Sequence, residues 1–113
     1  MAVQDHLQID VKRQQDMEIL RLSGELDLAS APLLQREIDG AGLGATAMIL
    51  DLEKLDFIDS TGLRMILAAH ERAKERGQEF AVTRGSRQVQ RLLAITGVGE
   101  HLRIIASADD MLV

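Results

Sequence analysis

The residues with the most chemistry at one place are Asp59-Ser60-Thr61-Gly62, a carboxylate followed by two hydroxyls and a glycine. Immediately after them Leu63, Ile66, Leu67, His70 and Ala73 recur at spacings of three and four, the period of a helix with one apolar face. The tetrad therefore sits at a helix N-terminus. Backbone N–H groups there lack intrahelical partners, and the aligned peptide dipoles place about half a positive charge beside them. Such an end can hold a hydroxyl or a phosphate at Ser60. Asp, Ser and Thr are also the preferred N-caps, so the tetrad taken alone reads as a cap. Two features ask for more. Three polar residues exceed what one cap requires, and Gly62 is a poor helix former, costing about 1 kcal/mol relative to Ala. A glycine in that turn would let another molecule approach the Ser60 hydroxyl.

An enzyme reading draws on the same residues. Asp51, Glu53, Asp56 and Asp59 could form a magnesium site or an aspartyl-phosphate pocket. A receiver of that kind needs paired acids at an early strand end and a lysine at a later one, and neither is evident. His6, His70 and His101 fall on separate elements without metal-ligand spacing, and no base accompanies Ser60 as it would a catalytic serine. The expectation is a protein that is not an enzyme, with no catalytic residue, no metal site and no cofactor.

The elements that must position the tetrad follow from the apolar pattern. Leu7, Ile9 and Val11 alternate with polar residues as in a half-solvated strand, Gln14 to Asp16 turns the chain, and Met17 to Ser23 returns as the second arm of a hairpin. Gly24 to Asp27 reads as a loop. A helix is expected from Ser30, with Pro32 in its first turn and Gly40 at its end. Residues Gly40 to Gly44 resemble a phosphate-cradling loop, but they follow a helix and precede a strand, so they read as a connection. Ala47 to Leu50 is a strand buried on both faces, Glu53 to Asp56 an acidic loop, and Phe57-Ile58 the approach to the tetrad. The second helix ends in the charged turn Arg72 to Arg76 and Gly77. Glu79 to Thr83 is a strand, Ser86 caps a helix that stops at Gly97, Leu102 to Ile105 is a last strand, and Ser107 to Asp110 starts a helix.

The order β-β-α-β-α-β-α-β predicts an α/β fold: one domain over residues 1–113, a mixed sheet largely parallel, and helices packed outside it. In such folds the strand-to-helix loops share one edge of the sheet, which brings Asp27 toward Ser60. Asp27 then either bonds to the Ser60 region or caps the first helix; the sequence weighs the two equally.

Composition supports a single packed domain. The chain has 113 residues, 46% hydrophobic and 27% charged, with Phe57 and Phe80 as its aromatic residues. Its formal charge of −5 and lack of a basic run disfavour nucleic acid. No apolar stretch reaches the length of a membrane span, no signal-peptide pattern opens the chain, and no cysteine is present, so a cytoplasmic protein without membrane insertion is expected.

Gly24-Glu25-Leu26-Asp27, Ile49-Leu50-Asp51-Leu52 and Phe57-Ile58-Asp59-Ser60-Thr61-Gly62-Leu63, in that order, resemble the STAS domain, and specifically the free-standing anti-sigma factor antagonists of bacteria. The resemblance runs from Leu7 to Ile105 and takes in Arg91-Leu92-Leu93 and Gly97. It implies partner switching. The antagonist binds an anti-sigma factor that is also a serine kinase, releases a sigma factor, and is inactivated by phosphorylation at the position of Ser60. A metal-dependent serine/threonine phosphatase would reverse the mark. The resemblance also places Asp27, Asp59, Thr61, Gly62, Arg64 and Met65 at the partner-binding surface. Other relatives are scaffolds of stress-signalling assemblies or accessory subunits of lipid-transport complexes, in which Ser60 would be a cap or a contact without being phosphorylated.

Overall fold

The computed structural model describes residues 6–41 and 44–107. Its elements are β1 (Leu7–Gln14), β2 (Met17–Leu26), α1 (Ala31–Ala41), β3 (Ala47–Ile58), α2 (Ser60–Glu75), β4 (Glu79–Thr83), α3 (Arg87–Thr96), a short 3₁₀ turn (Val98–Glu100) and β5 (Ile104–Ile105). The strands form one sheet in sequence order, with β1 antiparallel to β2 and every later pairing parallel. The expected mixed α/β domain is therefore present, with its element order. The expected helix start at Ser107 to Asp110 extends outside the described residues.

This order dictates where the helices go. Parallel crossovers are right-handed as a rule, and the strands here are added in one direction across the sheet, so successive helices are expected on the same face. Leu34 and Ile38 of α1, Leu63, Ile66, Ala69 and Ala73 of α2, and Val89 and Leu93 of α3 all join one core cluster with Leu20, Leu50 and Val82. The alternate residues of the strands, Met17, Ile19, Ala47, Ile49, Ala81 and Ile105, form a second, smaller buried cluster on the opposite face.

Several boundaries differ from the sequence expectation, among them the last strand, which is Ile104–Ile105 and not Leu102 to Ile105. Glu53 to Asp56 is not a loop: β3 runs unbroken from Ala47 to Ile58. Its pairing with β2 slips between Arg21 and Ser23 and again between Gly24 and Glu25, each time giving β3 one extra residue. These bulges put Leu52, Leu55 and Ile58 inward at a spacing of three while Glu53, Lys54 and Asp56 stay in solvent. Gly24 to Leu26 likewise continues β2. Gly24 has φ +97, and a Cβ there would run into the His6 carbonyl, so glycine alone lets β1 and β2 close at that point. Finally, Gly40 lies inside α1, which extends to Ala41.

The C-terminal half follows its caps. Ser86 accepts the Val89 amide at 3.3 Å to open α3, and Gly97 at φ 75 closes it. Arg76 is the C-cap of α2.

Candidate functional site: the β3–α2 corner

Asp59 makes the corner. Its backbone is extended, with φ −107 and ψ −177, and its Oδ1 accepts the Gly62 amide at 2.9 Å. Its carbonyl accepts the Leu63 amide at 3.0 Å. The other carboxylate oxygen turns across the sheet edge to accept the Leu28 amide at 3.1 Å, and the Asp59 amide donates to the Leu26 carbonyl at 3.1 Å. One residue thus caps α2 and ties it to the β2–α1 loop.

Asp27, beside it, serves its own loop. Its Oδ1 accepts the amides of Ala29 and Ser30, each at 3.0 Å, and the Ser30 hydroxyl at 3.1 Å. The Ser30 amide, opposed by partial desolvation and aided by the Ser30 hydroxyl, the His6 charge and the Ala29 amide, holds the Asp27 carboxyl below its ordinary value of 3.8. Of the two readings of Asp27, the geometry favours the one in which it shapes the entry to α1. The link between the loops passes through Asp59 and Leu28.

Helix α2 begins at Ser60 itself, three residues earlier than the apolar pattern alone indicates. Ser60 is exposed at the first helical position, Thr61 is half-buried, and Arg64 is exposed one turn along the same face. Met65 is half-buried and packs against the main core. Gly62 departs from its expected role. It is buried, and a Cβ there would stand 2.8 Å from Leu26 Cγ and 3.0 Å from the Leu26 carbonyl oxygen. Its missing side chain lets α2 lie close on β2, and it does not open a path to Ser60. Because Asp59 already takes the Gly62 and Leu63 amides, a phosphate on Ser60 would have the Ser60 and Thr61 amides as its nearest helix-end donors.

The four acids once grouped as a possible magnesium site lie along one strand and its end. Asp51 sits 3.4 Å from Arg21 Nε and accepts the Thr83 hydroxyl at 3.3 Å, Glu53 and Asp56 point to solvent, and Asp59 is the cap. Sequence spacing also missed two features of the edge. Leu28, 73% exposed and bonded through its amide to Asp59, and Phe57, 41% exposed near the end of β3, are large apolar side chains at this end of the sheet. They stand out only once the β2–α1 loop and the end of β3 are seen to share an edge. The second feature is that His6, Glu25 and Asp27 come together, with one ligand atom from each within 4.8 Å of the others.

Comparison with known proteins gives the family. A profile of the STAS domain matches residues 8–111. The chain is 34% identical over 95 residues to an anti-sigma F factor antagonist of Paenibacillus polymyxa, covering 82% of this chain and 81% of that one. An anti-sigma factor antagonist from Mycobacterium paratuberculosis, a solved structure, superposes with a TM-score of 0.87 at 24% identity, covering 99% of this chain and 96% of that one. The anti-sigma factor antagonist SpoIIAA in its unphosphorylated form superposes with a TM-score of 0.78 at 19% identity over 93% of each chain.

Proposed function

Because this chain belongs to the STAS domain family, in which a 34% identical relative bears the name of an anti-sigma F factor antagonist, we propose that it antagonises an anti-sigma factor by partner switching, controlled at Ser60. The observation that carries the reading is the β3–α2 corner: an exposed hydroxyl at the first position of a helix, fixed by Asp59, whose carboxylate also holds the amide of the exposed Leu28. Apolar side chains on an acidic rim suit a protein partner better than a small substrate, since they gain only when covered. The partner is an anti-sigma factor with serine kinase activity, and a metal-dependent serine/threonine phosphatase restores the unmodified protein. The antagonist acts in the cytoplasm, where its partners work, and as a binding protein rather than an enzyme. Asp27, Asp59, Thr61, Arg64 and Met65 surround the contact. Gly62 supports it from beneath.

Phosphorylation would add about −1.5 to −2 charges beside Asp59. The helix end tolerates them in the free protein. In a closed interface they add to the carboxylate of Asp59 at the corner and that of Asp27 in the neighbouring loop, with Arg64 one turn along the helix as the nearby cation on the same face. A buried charge left unpaired costs about 2–5 kcal/mol, or tens- to thousands-fold in affinity.

The test is to incubate the chain with ATP and candidate anti-sigma factor kinases, map any phosphate by mass, and titrate the modified and unmodified forms. Phosphate is expected on Ser60, with Ser60→Ala refusing it and still binding. The modified protein is expected to bind at least about tenfold more weakly. Equal affinity of both forms, or phosphate elsewhere with Ser60 untouched, would overturn the reading.

A further inference from the structure

We propose that His6, Glu25 and Asp27 form a binding site for a divalent transition-metal ion of the zinc type, on the same sheet edge as Ser60 and independent of the partner-switching reading. The three residues come from separate places: the entry to β1, the end of β2 and the β2–α1 loop. Backbone structure holds them together. Glu25 N–H donates to the His6 carbonyl at 2.7 Å, and the closure at Gly24 locks β1 against β2. Asp27 is fixed as well, because three donors occupy its Oδ1 and leave Oδ2 directed at His6 Nε2, 3.5 Å away. Four-coordinate zinc at its usual bond lengths sets neighbouring ligand atoms about 3.3–3.6 Å apart, so the imidazole and carboxylate stand at a ligand–ligand spacing already. Glu25, whose carboxylate is within 4.8 Å of both, closes on them by a small side-chain rotation.

The charge balance points the same way. Two carboxylates converge here, and among the described residues no Lys or Arg forms an ion pair with either one. The His6–Asp27 contact neutralises one of them at most, and only when the imidazole is protonated. A divalent cation answers both. One imidazole nitrogen with two carboxylates favours zinc and its transition-metal neighbours over magnesium or calcium, which prefer all-oxygen shells. Three protein ligands leave a coordination position for water or a donor from another molecule. The ion would lie one residue from Leu28, whose amide Asp59 holds, and so would lower the negative charge around the Ser60 corner.

The test is calorimetric titration of the tag-free full chain with zinc chloride, and with magnesium chloride as a contrast. One equivalent of zinc is expected to bind, with magnesium giving no heat at the same concentrations. His6→Ala and Glu25→Gln are each expected to weaken zinc binding about tenfold or more, while His70→Ala and His101→Ala leave it unchanged. His6 and Glu25 are exposed, so thermal unfolding of their variants in chelator should match the parent; this separates a lost ligand from a lost fold. Absence of zinc binding at about 100 μM, or binding that survives both substitutions, would overturn the site and leave His6–Asp27 as a simple ion pair.

Discussion

At the scale of single residues, Gly62 and Asp27 carry the sharpest consequences. Alanine is the better helix former by about 1 kcal/mol, so on propensity alone Gly62→Ala should stabilise α2. The added methyl would meet Leu26 Cγ at 2.8 Å and Ile58 Cγ1 at 3.0 Å, both within the core. Overpacking of this kind costs about 1–3 kcal/mol, which outweighs the propensity gain, so chemical denaturation should find the variant less stable than wild type by up to about 2 kcal/mol. Asp27 adds a pH dependence. Because its carboxyl is held below 3.8, the ionised form contributes stability above that value and loses it as pH falls through the lower folded-state value. The gap in melting temperature between wild type and Asp27→Asn, measured in chelator, should be open at about pH 5–7 and close on acidification. The cap at Asp59 and the exposed Ser60 are legible in the sequence, since Asp before a helical period is a local signal. The reach of Asp59 to Leu28 and the company kept by His6 are not, because both depend on chain segments about twenty to thirty residues apart being laid side by side.

The elements explain why some boundaries were readable and others were not. Strand β4 and helix α3 announce themselves: Glu79 to Thr83 is short and apolar, and Ser86 and Gly97 are a standard start and stop. The second half of β3 is disguised. Its bulges replace the alternation of a strand by inward residues three apart, and its outward acids look like a loop. What holds this part of the sheet includes a buried hydroxyl. Thr83 is fully buried, and its Oγ1 accepts the Leu52 amide at 2.7 Å, next to a slip in the backbone pairing. Thr83→Val keeps the shape and strands that amide. Unfolding experiments should show a loss of about 1–3 kcal/mol, well above what a similar change of volume would cause.

For the molecule as a whole, the proposed switch at Ser60 should alter what the surface can bind without altering the fold. A phosphate on Ser60 sits outside the core, at the favourable end of the α2 dipole, so the modified and unmodified proteins should unfold within a few degrees of each other. A large drop in melting temperature on phosphorylation would mean that the mark acts by loosening the corner instead. The strand order has a consequence for how the chain reaches this state. Because β1 to β5 lie in the sheet as they follow in the sequence, no strand has to insert between two that have already paired. Each new strand adds to an open edge and brings its covering helix with it, which keeps contacting residues near in sequence and the loops to be closed short. During synthesis the N-terminal hairpin can form first and serve as the template for everything that emerges after it.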